Sequence, residues 1–450
     1  MSCKIDKKSL TRQEILQIKD DLFIEGEPSE YGPAENIDAY GENSENLYIP
    51  FNYYYNKFKN SPNKMIKFIK TDFKFIGTFK NDDQEKVYKE AISQLKEKRS
   101  TFLSLRTGFG KTFLAIRLSS TTKLKTGILV HRSILSDQWV ESIKKFTEAK
   151  VQVIDSKTIF DPDSDYYIFN MAYVSKNWDS ETKKWKRKTF EDLMLKTIGT
   201  LVVDECHVCG ASEMSKSLQY FEPKYLIGLS ATPKRKDGLD KILDIYFGDP
   251  KIIRIADDPF KVYKINTGIK PEFTTNVRGK KNWGSVINFL SHSEKRNNMI
   301  VDVVKNNPNE IFMILCKLKS QCDILAKKLI EIGESVTVMK GSDKGYDKTA
   351  RILISTTSKL GVGFDDPRLT SLILAMDLVE VEQYAGRVRE SAGKDKKIFD
   401  FVDSDGSIIS HWQIRRKWYL SRNGTIVTVK KDAEEEKEPV RKRFAPKNLN

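Results

Sequence analysis

Apolar residues along this chain fall into a rhythm that changes little from about residue 76 to residue 255. Short, nearly continuous apolar runs alternate with stretches in which apolar positions recur every three or four residues. The runs at 126–130, 151–154, 167–170, 201–203 and 225–229 predict strands, and the periodic stretches at 84–97, 111–119 and 136–146 predict helices. Strands that are apolar on both faces and separated by helices imply a parallel sheet covered on each side, because a helix must carry the chain back before the next strand can lie parallel. The same rhythm returns after a charged, loosely patterned connection at 256–294. There the runs at 311–315, 335–339, 352–355, 371–374 and 398–402 predict strands, and 320–332 predicts an amphipathic helix. The fold class is therefore α/β, with two parallel-sheet domains in tandem.

The flanks are less regular. Residues 1–75 are mixed and polar, with an acidic stretch at 25–46 and an aromatic cluster at 48–55, and predict a small N-terminal accessory segment. Beyond residue 403 a helix is predicted over 411–420, and Asn423-Gly424 turns into a short strand at 425–429. The segment 430–450 is built from blocks of Glu and Lys/Arg and is expected to be a disordered tail.

Composition adds a partner class. The 77 Lys and Arg against 62 Asp and Glu leave a net charge of +15, which favours a polyanion through counterion release. The 450 residues suffice for two or three domains. Five cysteines, an odd number, suggest a reducing compartment. Cys206-His-Val-Cys209 has the spacing of half a zinc site but lacks a second ligand pair. With no run of membrane-spanning length and no signal-peptide core, a soluble, intracellular protein with no membrane partner is expected; the compartment and oligomeric state are left open.

The chemistry concentrates at Leu105-Arg106-Thr107-Gly108-Phe109-Gly110-Lys111-Thr112, between a predicted strand and a predicted helix. Glycines at such a turn let backbone N–H groups approach phosphate oxygens, and the helix N-terminus adds a positive field. Lys111 is placed to reach the β and γ phosphates of a nucleotide, and the Thr112 hydroxyl to hold Mg²⁺. An ordinary turn whose glycines only permit the bend is the alternative. Against it stands Asp204-Glu205 at the end of the run at 201–203, where ligands of open α/β sheets bind. Asp204 would hold Mg²⁺ opposite Thr112, and Glu205 would orient and deprotonate the water that attacks the γ-phosphate. A nucleoside triphosphate and Mg²⁺ are the cofactors these residues predict.

The ordered series of motifs resembles the superfamily 2 helicases and translocases from about residue 84 to residue 389. Within them it is most similar to the branch holding the XPB transcription and repair helicase, phage repair helicases and transcript-release helicases of large DNA viruses. The sharpest likeness is Ile227-Gly-Leu-Ser-Ala-Thr-Pro-Lys-Arg-Lys-Asp-Gly-Leu239. The resemblance implies two RecA-like domains, an ATP-binding one over 76–255 and a C-terminal one over 295–420, with 421–450 a short strand and tail. It implies that Gln84 reads adenine, the alternative being a solvent-facing residue at a helix start. His131, Arg132, Gln138 and Trp139 would touch the nucleic-acid backbone, and Ser230, Ala231 and Thr232, with His207 and Gln383, would couple hydrolysis to domain movement. Thr356 and Thr357 would contact the strand, and Gly363 and Asp365 the nucleotide. Arg387 is the expected arginine finger; the family's second arginine falls at Glu390 here, which makes Arg389 the weaker candidate.

The function expected is an ATP-dependent helicase or translocase on DNA or a DNA–RNA hybrid, DNA ahead of RNA, working with transcription or repair machinery of a virus. Alternatives are the motor of a restriction system, or a nucleotide-gated nucleic-acid-binding module without unwinding. Basic, aromatic-bearing clusters at 178–188 and 278–283 are further candidates for strand contact, with solvated loops the alternative.

Overall fold

The computed structural model describes residues 2–26, 36–58, 68–155, 157–176, 178–179, 184–185, 197–210, 217–218, 221–231, 241–255, 258–275, 279–341, 343, 345–360, 366–388, 395–429 and 436–437. Thr232, Gly363, Asp365, Arg389, most of the 178–188 cluster and the tail at 438–450 lie outside them. The chain divides into two compact units, Met1–Ile255 and Ala256–Asn450.

The first unit opens with a small antiparallel sheet of β1 (Ser2–Asp6), β2 (Gly41–Glu42) and β3 (Asn46–Pro50), with helix α1 (Arg12–Asp21) between β1 and β2. Thr11 and Glu14 close a reciprocal capping box at the start of α1. Helix α2 (Phe51–Phe58) follows, then α3 (Asp82–Lys98). A seven-stranded sheet comes next: β4 (Ser100–Leu105), β5 (Thr126–Val130), β6 (Val151–Ile154), β7 (Tyr166–Asn170), β8 (Thr200–Val203), β9 (Tyr225–Ser230) and β10 (Ile252–Arg254). Its spatial order is β10-β4-β9-β8-β5-β7-β6, and every pairing is parallel. Helices α4 (Lys111–Thr122), α5 (Ser133–Phe146) and α6 (Lys241–Phe247) connect the strands.

The N-terminal segment is more ordered than its sequence suggested. Ile5, Ile18, Leu22, Leu47 and Ile49 are buried in the same core as Phe102, Leu129, Leu201 and Phe247. Its apolar residues are too scattered to show a period, yet pairing over five positions between β1 and β3 brings Ile5 opposite Leu47 and Cys3 opposite Ile49. Asn52, only 2% exposed, donates from Nδ2 to the Asp244 carbonyl of α6 at 3.3 Å, and Tyr53 and Tyr54 pack against the same core.

The second unit carries β11 (Phe260–Asn266), β12 (Phe312–Cys316), β13 (Val336–Met339), β14 (Ile352–Thr356), β15 (Ser371–Leu374), β16 (Lys397–Val402) and β17 (Gly424–Val429), in the order β13-β14-β12-β15-β16-β11-β17 and all parallel. Residues 436–437 add an antiparallel eighth edge. Helices α7 (Trp283–His292), α8 (Glu294–Lys305), α9 (Lys319–Glu331) and α10 (Gly406–Ser421) accompany it. β11 is a correction to the reading of 256–294 as a connection. Its lysines, Lys261 and Lys264, interrupt the apolar run, but Phe260, Val262 and Ile265 are buried while the strand pairs with β16 and β17 on its two sides. Both units are thus parallel α/β sheets.

Buried charge holds the second unit. Arg415 donates to Asp400 Oδ1 and Oδ2 at 2.8 Å and to Asp377 Oδ1 at 2.9 Å, all within the core. Arg296 bonds both oxygens of Asp403 at 3.1 Å with neither group exposed. Such pairs hold because each charge is answered and hydrogen-bonded; removing one partner strands the other.

Candidate active site

The predicted nucleotide residues gather at the C-terminal edge of the first sheet. β4 is buried along its whole length and delivers the chain at Leu105 into the loop that opens α4. Gly108 and Gly110 have φ of 81° and 101°, left-handed values that glycine alone adopts freely. The loop is braced from three sides. Arg106 N–H donates to the Arg254 carbonyl of β10 at 2.7 Å, and Phe109 N–H to the Arg106 carbonyl at 3.2 Å. Gln84, buried at the start of α3, donates from Nε2 to the Phe109 carbonyl at 2.9 Å and accepts at Oε1 from Lys80 N–H at 2.8 Å. Both ends of the Gln84 amide are thus engaged within the chain. Asn81, which sequence reasoning passed over, caps α3 by accepting from Gln84 N–H; the Asn-Asp-Asp-Gln run before an apolar period was the signal for it.

Lys111, first residue of α4, donates from Nζ to the Leu105 carbonyl at 3.3 Å, and Thr112 follows it, half-buried. Thr107 and Arg106 are also half-buried, and Gly108 is exposed.

Two strands away, β8 ends at Asp204-Glu205. Asp204 is 9% exposed; its Oδ1 accepts from Glu205 N–H at 3.0 Å and its Oδ2 from the indole N–H of Trp139 at 2.9 Å. Burial, reinforced by the charge of Glu205, pushes its carboxyl up to about 6, against the pull of the Trp139 bond and of Lys111. Glu205, half-buried, adopts φ 47°, a left-handed conformation that costs a non-glycine residue about 1–2 kcal/mol. Its Oε2 lies 3.3 Å from His207 Nδ1, which is also 3.0 Å from Ser230 Oγ at the end of β9. Because β9 lies between β4 and β8, Ser230 stands between the loop and the acidic pair, and it is paired in register with Ser104. His207 and Ser230, predicted as coupling residues, are thus brought together; Ala231 follows, half-buried.

The donor set suits Mg²⁺. A buried carboxylate whose ionisation is opposed by a second acid beside it is relieved by a divalent cation, and oxygen ligands are what Mg²⁺ takes. Asp204 and the Thr112 hydroxyl would hold it, where it would polarise phosphate oxygens.

The predicted strand-facing set divides. Arg132 is exposed, and His131 and Gln138 are half-buried. His131 Nδ1 is enclosed with no hydrogen-bond partner, and burial pushes its pKa down against the pull of Glu205. Trp139 is corrected: at 2% exposure, with its N–H on Asp204, the indole offers no face to a strand. In the second unit Thr356 and Thr357 are 3% and 6% exposed at the end of β14 and the start of the short helix Thr357–Leu360. Tyr384 Oη donates to the Thr357 carbonyl at 3.1 Å, which ties the short helix Glu382–Ala385 to that turn. Gln383 is exposed on that helix, and Arg387 follows half-buried, its N–H on the Tyr384 carbonyl at 2.9 Å.

Comparison with known proteins accords with this geometry. A family model described as "Type III restriction enzyme, res subunit" matches residues 80–235, the part that holds the loop and the acidic pair. The chain is 34% identical over 453 residues to protein 161L of Invertebrate iridescent virus 6, which is named as a helicase, covering 96% of this chain and 100% of that one. The chain belongs to this helicase family, within superfamily 2. It is also 32% identical over 359 residues to a protein named as helicase 055L of Frog virus 3, covering 78% of this chain and 79% of that one. Identity to "Transcript termination protein A18" of Yaba monkey tumor virus is 25% over 364 residues, 73% of this chain and 74% of that one. The fold matches Dbp5 of S. cerevisiae, solved bound to RNA and ADP BeF3, with a TM-score of 0.52 at 14% identity, covering 76% of this chain and 89% of Dbp5. This helicase hydrolyses ATP and acts on nucleic acid. Among the described residues, no helix is long and apolar enough to cross a membrane.

Proposed function

We propose that this helicase is a Mg²⁺-dependent motor that moves along DNA, or along the DNA strand of a DNA–RNA hybrid, during viral transcription, where it helps release transcripts. One observation carries the chemical part: Glu205 in a strained conformation at the sheet edge, beside a buried Asp204 and two strands from the glycine loop. Glu205 takes a proton from water as the water oxygen bonds the γ-phosphorus and the bond to the β–γ bridging oxygen breaks. Lys111, folded on the Leu105 carbonyl, exchanges that acceptor for phosphate oxygens. Arg387 supplies a planar fork to the charge that develops on the transferring group.

Transcription is supported by the likeness to the viral protein named for transcript termination. The net charge of +15 and motifs that grip backbone rather than bases support a nucleic-acid track, for which DNA is the proposal. The restriction-motor reading draws on the family model alone, whose match ends at residue 235. Glu205→Gln tests the assignment. It should bind ATP and strand yet lose turnover, and nucleic-acid-stimulated hydrolysis retained in that variant would defeat it. Parallel ATPase titrations with single-stranded DNA, duplex DNA, RNA and hybrid decide the track.

A further inference from the structure

Trp139 has no part in the hydrolysis chemistry, yet its indole is bound to the acid that would hold the metal. Its indole is buried, and among the described residues it is the side-chain donor to Asp204. A side chain kept only to fill space needs no N–H; Phe or Leu would pack as well without a polar atom to satisfy. Here the N–H lies 2.9 Å from Oδ2 while the backbone N–H of Glu205 takes Oδ1, so the carboxylate is held at both ends in one orientation. A carboxylate has about four acceptor sites, which leaves lone pairs on each oxygen for a metal or its water shell.

Trp139 also has a place that matters. It sits six residues into α5, about 9 Å along the axis from Ser133. Leu135, Ser136, Trp139 and Ile143 form the buried stripe of that helix, whereas Arg132, Ser133 and Asp137 are exposed. A helix moves as a unit, and a Trp side chain has two torsions, so a displacement of α5 reaches the indole N–H without dissipating in a flexible chain.

We propose that Trp139 is a positioning residue that fixes the metal-holding carboxylate of Asp204 and links it mechanically to α5, so that a strand gripped at the start of that helix changes the grip on Mg²⁺. The link rests on the reading that His131, Arg132 and Gln138 face nucleic acid. Linkage makes it reciprocal: the strand strengthens Mg²⁺ binding by the factor by which Mg²⁺ strengthens strand binding.

The test uses the full chain and two readouts other than turnover. A fluorescent ATP analogue is titrated into wild type and Trp139→Phe in EDTA and over a range of Mg²⁺. Partners that orient metal ligands are typically worth about 10- to 100-fold in metal affinity, so the variant should need at least tenfold more Mg²⁺ while its metal-free nucleotide affinity stays within about twofold. An unchanged Mg²⁺ requirement, or an equal loss with and without metal, overturns the positioning role. The second readout is the indole N–H resonance of Trp139, one of six tryptophans, assigned by its absence from the variant. In wild type it should broaden with Mn²⁺·ADP and shift when single-stranded DNA is added without nucleotide; where Trp139→Phe folds poorly, Trp139→Tyr makes the same assignment. DNA that binds without moving the resonance overturns the link. DNA that does not bind at all overturns the strand-facing reading and the link with it, while the Mg²⁺ titration still decides positioning.

Discussion

Gly110→Ala probes how the phosphate loop is held. Gly110 sits at φ 101°, where an L-residue pays about 1–2 kcal/mol for crowding between its Cβ and the backbone. A Cβ there would also fall 2.3 Å from Gln84 Nε2, far inside contact distance, so the Gln84 amide must leave. Leaving breaks its bonds to the Phe109 carbonyl at 2.9 Å and from Lys80 N–H at 2.8 Å. At about 0.5–1.5 kcal/mol each, they bring the total to about 2–5 kcal/mol. A central figure of about 3 kcal/mol is on the order of a hundredfold in Kd, if the loop must regain its shape to bind phosphate. Titration of a fluorescent ATP analogue measures it. In a Gln84→Ala background those bonds are already gone and only the backbone part remains, so the double variant should bind better than additivity predicts by at least about 1 kcal/mol. Effects that add within about 0.5 kcal/mol, or a Gly110→Ala protein that binds within threefold of wild type, would refute the reasoning.

Other expectations follow from the same geometry. Asp204, with its carboxyl pushed up to about 6, holds its proton more tightly folded than unfolded; its contribution to metal-free stability is present below about pH 4 and lost as pH rises through 6. Binding of Mg²⁺·nucleotide at pH 6 should accordingly release roughly half a proton from this group, and almost none at pH 8, measurable by calorimetry in buffers of different ionisation enthalpy. Arg415→Met leaves Asp400 buried without its cation and Asp377 with His411 alone, and should destabilise the second unit by about 3–5 kcal/mol in denaturant unfolding, with the first unit's transition unmoved. Arg387→Ala should lower turnover by about 10³–10⁵ with little change in nucleotide affinity, in single-turnover ATP hydrolysis.

Much of the fold was legible because parallel strands buried on both faces carry a dense local signal. The runs at 126–130, 151–154 and 371–374 match their strands residue for residue. β11 escaped because its two lysines break the apolar run that marks a central strand, and the first fifty residues escaped because their burial comes from contacts with a core far along the chain. At the site, the loop and the acidic pair singled out by residue type and spacing stand at one edge of the sheet, a placement legible because each follows directly on an apolar strand run.

What sequence alone determined, then, is chemistry that lies within one turn of chain. Which groups meet across strands is another matter. That β9 lies between β4 and β8, which sets Ser230 against His207, follows from strand order, and strand order leaves no mark in any single stretch of residues. The same holds for Trp139: its motif suggested a surface role, and only the packing of α5 on the sheet turned its indole inward to a carboxylate 65 positions away. Local physics selects the residue types, while the fold decides their partners, because a side chain's neighbours are set by long-range packing rather than by its own segment.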